Sequence, residues 1–218
     1  MISLSGIGES NFMHFTIFDT PVLRTIMRLI CLFALKLIGW KKSGTLPDIP
    51  KYVMIAAPHT SNFDLPMTLI IAFALRLKIY WMGKEEIFKK PFGTIMKWLG
   101  GIPVERSKSN NLVAETVEVF KRSERLVVLV PPEGTRKKVN YWKTGFYYIA
   151  HGAGVPILCG FLDYKLKTGG IGPVIYPTGN IEKDMEAIHD FYKNITGRYP
   201  LKTSWGQVEG KKLIKTFL

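Results

Sequence analysis

Short apolar runs alternate with longer amphipathic stretches between residues 50 and 195. The run YVMIAA, at 52–57, is short and apolar throughout, which is typical of a buried strand. In the stretch 110–124, Leu112, Thr116 and Phe120 recur every four residues and so share one face of a helix. The same criteria predict strands over 52–57, 78–83, 101–106, 125–134, 155–164 and 172–180, and helices over 65–76, 91–100, 110–124, 142–154 and 184–195. Strands that alternate with helices predict an α/β fold, in which a mostly parallel sheet is flanked by helices.

An apolar stretch at 21–40 precedes this pattern and is predicted to be helical. Arg24, Arg28 and Lys36 lie near one edge of that helix and leave a broad apolar face. Three cations are costly inside a bilayer, and the longest uncharged run, 29–35, is too short to cross one. We therefore expect a membrane-interface helix with its basic edge toward the headgroups. The alternative is a helix that packs into the core of a soluble domain.

A turn-rich stretch, KKSGTLPDIP at 41–50, separates this helix from the alternating pattern. It predicts two parts of the chain. Residues 1–45 form an N-terminal apolar helical segment for membrane association, and residues 46–218 form the α/β domain.

The net charge narrows the choice of partners. Among 218 residues, 30 Lys and Arg face 17 Asp and Glu, which gives a formal net charge of +13. Such an excess favours an anionic partner: nucleic acid, an anionic membrane surface or a phosphorylated substrate. The two cysteines, Cys31 and Cys159, have neither metal-ligand nor disulfide-framework spacing, so we expect no metal site and a reducing, cytoplasmic setting.

Three polar clusters follow predicted strands: APHTSNFD, GIPVERS and PPEGTR. Ligands of parallel sheets bind at the ends of strands, so these clusters are expected to lie together. In the first cluster, His59 is suited to general-base work, and Asp64 could reach back across the turn to orient its ring. A helix cap or a solvated turn is the plainer interpretation of such a pair.

The other two clusters supply cations. Arg106 and Arg136 follow strand ends rich in glycine and are suited to bidentate binding of phosphate. The alternatives are that Arg106 pairs with Glu105 or Glu133, and that Lys137 and Lys138 belong to a solvated loop. The sequence contains neither a G-x-S-x-G nucleophile elbow nor a Walker A motif. A histidine base without a protein nucleophile suggests that it acts on a hydroxyl of the substrate.

Four blocks of the chain together resemble the glycerolipid acyltransferases, the family that includes 1-acylglycerol-3-phosphate acyltransferase. HTSNFD resembles the family's H-x-x-x-x-D block, and GIPVER at 101–106 resembles its second block. Pro132, Glu133, Gly134, Thr135 and Arg136 match the third block, Pro-Glu-Gly-Thr-Arg, and Lys143 with Gly145 resembles the Lys-x-Gly that follows it. Val155, Pro156 and Ile157 resemble the fourth block, but Leu158-Cys159-Gly160 replaces its second proline.

The resemblance implies acyl transfer from a thioester to the free hydroxyl of a lysophospholipid, most simply 1-acyl-sn-glycerol-3-phosphate, which would give phosphatidic acid. It implies that His59 is the base and Asp64 its orienter, and that Arg106, Glu133, Gly134, Thr135 and Arg136 hold the acceptor phosphate. It further implies acyl-CoA or acyl carrier protein as co-substrate, no other cofactor, and a peripheral or monotopic position on the cytoplasmic face of a membrane. Backbone N–H groups near His59 are expected to stabilise the oxyanion.

Other functions stay open on the sequence alone. The same reaction could use another acceptor, such as a lyso-aminolipid or a glycolipid. A basic nucleic-acid-binding protein would suit the charge, but the chain has no RRM, KH or helix-turn-helix signature, so we expect no nucleic acid partner. A catalytically dead lipid-surface module would not need both His59 and Asp64.

Overall fold

A seven-stranded sheet organises the molecule, seen in a computed structural model that describes residues 14–104 and 109–204. The strands lie in the order β1-β7-β6-β2-β5-β3-β4. All neighbouring pairs are parallel except β6 and β7, which are antiparallel. The strands are β1 Lys41–Ser43, β2 Lys51–Ala57, β3 Tyr80–Lys84, β4 Gly101–Val104, β5 Leu126–Val130, β6 Ile157–Asp163 and β7 Thr168–Ile175.

Helices cover both faces of the sheet, because its central strands are apolar on both sides. The helices are α1 Pro21–Leu37, α2 Asp64–Leu75, α3 Gly93–Trp98, α4 Ser109–Arg122, α5 Gly145–Ala153 and α6 Ile181–Tyr192. Side chains of α1, α2 and α3 share one apolar cluster with the sheet, and side chains of α4, α5 and α6 share the other. The face that carries α1, α2 and α3 is called the α1 face below.

Helix α1 has two different apolar sides. Its inner side packs on α2 and the sheet through Leu23, Met27, Cys31 and Leu35. Its outer side is exposed and equally apolar, with Val22, Ile26, Leu29, Ile30, Phe33 and Leu37 each at least 46% exposed. Within the described ranges, every helix falls short of the length and apolarity that crossing a membrane requires.

The predicted α/β fold with a mostly parallel, helix-flanked sheet is confirmed. Strand β1 was missed because its three residues are polar and exposed. The last strand is predicted at 172–180 but runs over Thr168–Ile175, since its first three residues, Thr-Gly-Gly, have no apolar signature. The division of the chain after residue 45 stays a prediction. Lys41–Ser43 pairs with β7, so the end of the N-terminal segment contributes an edge strand to the sheet.

Candidate active site

Two of the three polar clusters, APHTSNFD and PPEGTR, meet at one edge of the sheet, and the polar residues of the third lie outside the described residues. Strands β2, β3, β5 and β6 are mutually parallel, so the loops that follow their carboxyl ends lie side by side. These loops contain His59 after β2, Lys84 at the end of β3, Glu133 after β5 and Tyr164 after β6. Arg106, the first cation predicted to bind phosphate, follows β4 and lies outside the described residues.

His59 and Asp64 are in direct contact. His59 Nδ1 lies 3.0 Å from Asp64 Oδ2, and the Asp64 side chain is buried, with only 7% of its surface exposed. The turn between β2 and α2 brings them together, because Asp64 is the first residue of α2. The same carboxylate oxygen accepts hydrogen bonds from the Thr60 and Ser61 N–H groups, both at 2.8 Å. Asp64 therefore holds the backbone of the turn as well as the histidine ring.

The other oxygen of Asp64 is held from a distant part of the chain. The Tyr164 hydroxyl donates to Asp64 Oδ1 at 2.8 Å. Burial alone would raise the pKa of Asp64, but the hydrogen bonds from His59, Ser61 and Tyr164 outweigh it and lower the pKa. An ionised Asp64 requires the proton of neutral His59 to reside on Nδ1. The ring's Nε2 is then the atom that can accept a proton.

Glu133 is buried beneath the same turn and contacts its backbone. Its side chain is 3% exposed, and its Oε1 accepts a hydrogen bond from His59 N at 2.9 Å. Its Oε2 is buried without a hydrogen-bond partner among the described residues. Burial raises the pKa of Glu133 to about 7, against an ordinary value of 4.5. A buried carboxyl turned toward His59 is poorly placed for the phosphate contact predicted for it.

The turn after Glu133 carries the polar groups that do reach the surface. Gly134 has a φ of +60°, a conformation that glycine adopts without steric cost. Its Cα faces Lys143, since a Cβ on Gly134 would lie 3.0 Å from Lys143 Cδ and 3.5 Å from Nζ. Thr135 is half-buried and Arg136 is exposed. Arg136 and Lys143 are thus two cations at one turn beside His59.

An elongated cavity of about 290 Å³ opens at this edge. Polar residues that line it include His59, Asn62, Lys84 and Arg136. The rest of the lining is mostly apolar and comes from the sheet and from α2 on the α1 face, including Met54, Ile71, Ala72, Leu77, Ile79, Trp81 and Leu129. The lining follows the chain from Ile79 to Lys84, a rise of about 17 Å for an extended strand. The cavity therefore joins a polar mouth at His59 to an apolar interior.

A segment that the sequence analysis missed also packs on the His59 turn. Tyr199 N donates to Thr60 Oγ1 at 3.2 Å, and the Arg198 guanidinium lies 4.2 Å from the Phe63 ring centroid. A Cβ on Gly197 would come within 2.9 Å of Thr60 Cγ2. Residues 197–199 follow α6 and carry no recognisable motif. Only a glycine between polar residues, a weak turn signal, could have drawn attention to them.

The expectation that backbone N–H groups of the His59 turn stabilise an oxyanion is wrong for three of them. The N–H of His59 donates to Glu133, and those of Thr60 and Ser61 donate to Asp64. These amides hold the two carboxyl groups and thereby shape the turn. Within the described part of the chain, no group of three or more His, Cys, Asp or Glu side chains is placed to share a metal ion.

Comparisons with known proteins identify the family and a similar fold. A sequence model of the acyltransferase family matches residues 41–160, which include His59, Asp64, Glu133 and Arg136. The fold is similar to the crystal structure of PlsC, the 1-acyl-sn-glycerophosphate acyltransferase of Thermotoga maritima, with a TM-score of 0.56 and 20% sequence identity over 78% of this chain and 77% of that chain. At that identity the likeness concerns the fold alone. A comparison with curated protein sequences gave no significant match. Because the family match covers more than half of the chain, the chain belongs to the acyltransferase family and is an acyltransferase.

Proposed function

We propose that this acyltransferase moves an acyl group from a thioester, acyl-CoA or acyl carrier protein, to the free hydroxyl of a lysophospholipid. The acceptor we favour is 1-acyl-sn-glycerol-3-phosphate, and the product is phosphatidic acid. One observation carries the proposal: His59, held on Nδ1 by Asp64, lies at the polar mouth of an elongated apolar cavity. Such an interior suits the fatty acyl chain of a thioester, and such a mouth suits a phosphate-bearing alcohol.

In this mechanism, Nε2 of His59 removes the proton of the acceptor hydroxyl while the oxygen of that hydroxyl attacks the thioester carbonyl carbon. The new carbon–oxygen bond forms an oxyanion. The oxyanion collapses, the carbon–sulfur bond breaks, and the thiolate takes the proton back from His59. Asp64 stays ionised and stabilises the imidazolium that forms, in the manner of the acid in a serine protease triad. The chemistry needs no covalent intermediate on the enzyme.

The acceptor phosphate is assigned to the cations at the cavity mouth. Arg136 lines the cavity, with the Gly134 and Thr135 backbone beside it, and Lys143 adjoins the same turn. Arg106 is proposed to join them on the resemblance of its block. Glu133 takes a different role, because its carboxyl is buried against His59 N. We assign Glu133 to positioning the His59 turn.

The acyl chain is assigned to the apolar interior of the cavity. Its walls are side chains of the sheet and of α2, for example Ile79, Ala72 and Leu129. An extended chain that enters at His59 lies along β3, with its carbonyl carbon left beside the ring. Burial of each methylene contributes about 0.8 kcal/mol, so a long chain binds mainly through this interior.

The exposed side of α1 is proposed to seat the enzyme on a membrane, peripherally and on its cytoplasmic face. Its six exposed apolar side chains form one continuous stripe, and Arg24 and Lys36 on the same helix are exposed to meet anionic headgroups. Such a position would bring the enzyme to its lysolipid. Helix α1 packs on α2, and α2 lines the cavity. The exposed stripe of α1 and the cavity therefore lie on the same face of the sheet.

The deciding experiment is an acyl-transfer assay with purified protein, using labelled acyl-CoA and acyl-loaded carrier protein as donors and a panel of lysolipids as acceptors. His59→Ala is expected to slow transfer about a thousandfold, the effect of losing a positioned base. His151→Ala is the control, because His151 is exposed on α5 and its ring stacks on Tyr147 rather than lying at the cavity.

The outcomes separate the parts of the proposal. Phosphatidic acid as product, with only His59→Ala impaired, supports the reaction, the acceptor and the role of His59. Transfer only to another lysolipid would correct the acceptor and leave the mechanism in place. Equal rates for wild type and His59→Ala would overturn the role of His59.

A further inference from the structure

A second exposed apolar surface lies beside the mouth of the cavity, between the ends of β3 and β4. Its apolar side chains are Ile87, Phe92, Ile95 and Trp98, exposed by 40%, 63%, 50% and 38%. The lysines Lys84, Lys89, Lys90 and Lys97 are exposed within the same stretch. We call these eight residues the α3 surface. Six of them lie outside the lining of the cavity, and the docking of α1 does not account for them.

Helical geometry gathers the apolar members of the α3 surface on one side. Phe92, Ile95 and Trp98 are spaced by three residues, which places them along one face of α3. Met96 of α3 and Leu99, which ends the helix, pack against the core. Two of the lysines, Lys89 and Lys90, lie in the turn before the helix, separated from it by Pro91 and Phe92. The surface therefore combines an apolar stripe with adjacent cations.

The base of the α3 surface is packed tightly, so its outward face is presented in a fixed position. Phe88 stacks on Trp81 of β3, with ring centroids 5.6 Å apart. A Cβ on Gly93 would lie only 1.8 Å from Phe88 O, which shows how closely α3 approaches the preceding turn. The Trp81 indole N–H donates to Leu99 O at 3.0 Å. A large apolar group held outward in this way costs free energy in water unless something covers it.

Location and charge both indicate an anionic lipid surface as the cover. Helices α1 and α3 pack on the same face of the sheet, so the stripe of α1 and the α3 surface face the same side of the molecule. Glu85 and Glu86 are also exposed in this stretch, but the four lysines outnumber them and leave a net positive charge. A net positive charge around two aromatic and two aliphatic side chains is the pattern of an interfacial lipid-binding element. Lys84 and Ile87 belong to the α3 surface and also line the cavity.

We propose that the α3 surface is a second membrane-docking site, which inserts Ile87, Phe92, Ile95 and Trp98 into an anionic lipid surface. This docking places the mouth of the cavity at the membrane interface. This inference rests on the proposed function for the identity of what enters the cavity, but lipid binding itself does not depend on it. Docking at two separated sites constrains the orientation of the enzyme more than docking through α1 alone. A membrane-embedded acceptor then reaches His59 without leaving the interface.

The test is co-sedimentation of the full chain with vesicles of phosphatidylglycerol and phosphatidylcholine. The double variant Phe92→Ser with Ile95→Ser is expected to weaken vesicle binding by about tenfold or more, since two inserted apolar side chains are lost. Tyr176→Ser with Leu201→Ser is the matched control, because these side chains are exposed by 65% and 91% and lie outside α1 and the α3 surface. The control is expected to bind within about twofold of wild type. All four positions are exposed, so thermal unfolding should be nearly unchanged in both variants.

A charge variant and an activity assay complete the design. Lys89→Glu with Lys90→Glu is expected to weaken binding to anionic vesicles and leave binding to pure phosphatidylcholine unchanged. In the activity assay, Phe92→Ser with Ile95→Ser should transfer acyl groups to a monomeric short-chain lysolipid at the wild-type rate and lose activity on vesicles. Wild-type binding by the double variant would overturn the proposal, and so would a wild-type dimer that the double variant converts to a monomer. Absence of acyl transfer by wild type would refute the proposed function alone, because the vesicle-binding result stands without it.

Discussion

Glu133 and His59 are joined across 74 residues of sequence by a single hydrogen bond, from His59 N to Glu133 Oε1 at 2.9 Å. The bond connects the loop after β5 to the loop after β2, at the point where the backbone leaves the sheet. Because Glu133 is buried and its second oxygen has no partner among the described residues, the carboxyl group is stable there mainly in its neutral form.

A dependence of stability on pH follows from this burial. Burial raises the pKa of Glu133 from 4.5 to about 7 in the folded protein. Between those values the unfolded chain has lost the proton while the folded protein retains it. The contribution of Glu133 to stability is therefore fully present below pH 4.5 and falls as pH rises to 7, by about 3 kcal/mol in all.

Glu133→Gln tests this dependence, because glutamine is neutral at every pH and its amide oxygen can still accept from His59 N. Unfolding by denaturant at several pH values from 5 to 8 should show a flatter curve for the variant than for wild type. His189, whose pKa is lowered by burial, opposes the trend in both proteins and cancels in the comparison. Parallel curves would mean that Glu133 is ionised in the folded protein throughout.

The role of Asp64 can be separated from that of an ordinary buried carboxylate. Asp64→Asn removes the charge that holds the Nδ1 proton of His59 and favours the wrong tautomer, so we expect transfer to slow by about a hundredfold or more. Asp184 is a matched control, since it also accepts from a tyrosine hydroxyl at 2.8 Å, that of Tyr147, but lies on α6 away from the cavity. Asp184→Asn should lower stability and leave the rate per folded molecule unchanged. Comparable loss of rate in both variants would contradict the dyad.

Local contacts in the site were predictable and long-range ones were not. His59 and Asp64 are five residues apart across a strand-to-helix turn, so pattern and spacing alone suggested that they meet. Tyr164 and Asp64 are 100 residues apart, and nothing in either segment indicates the bond between them. Such pairs depend on the order of strands in the sheet, here on β6 lying beside β2.

The limits of the strand prediction have the same physical origin. Buried strands such as β2 and β5 reveal themselves because both faces are apolar. Strand β1 is stabilised only by pairing with β7 at the edge of the sheet, and its Lys-Lys-Ser sequence carries no apolar pattern. For α1, the packing of its inner side agrees with the core-helix interpretation, and the membrane-interface interpretation stays a prediction. The inner side packs on α2, and the outer stripe is left exposed.

Acyl-chain length is expected to depend on Ala72. Ala72 is 3% exposed and lines the cavity from α2, so Ala72→Leu should fill part of the interior and shift donor preference to shorter chains. Extra methylenes in a packed core cost about 1–3 kcal/mol of stability. Ala74→Leu is the matched control, because Ala74 is 2% exposed on the same helix but does not line the cavity. A panel of acyl-CoA donors of increasing length checks the shift, and an equal shift in both variants would place the acyl chain elsewhere.

Gly197 is predicted to control the geometry of the His59 turn although it contacts no substrate. A Cβ at this position would come within 2.9 Å of Thr60 Cγ2 and 3.0 Å of Pro58 Cγ, so Gly197→Ala must push the turn or the 197–199 segment aside. A displacement of about 1 Å at a reacting group can cost about a hundredfold in rate, and we expect a loss of at least tenfold in kcat with little change in vesicle binding.

Gly145→Ala controls for the substitution itself, because its added Cβ meets nothing closer than Val113 Cγ2 at 3.8 Å and lies in α5, where alanine favours the helix. This control should keep its activity and unfold no earlier than wild type. Steady-state kinetics and thermal unfolding of both variants decide the matter. If Gly197→Ala retained the wild-type kcat, the segment 197–199 would tolerate an added methyl group without moving the His59 turn. The position of His59 would then depend on Asp64 and Glu133 and not on this segment.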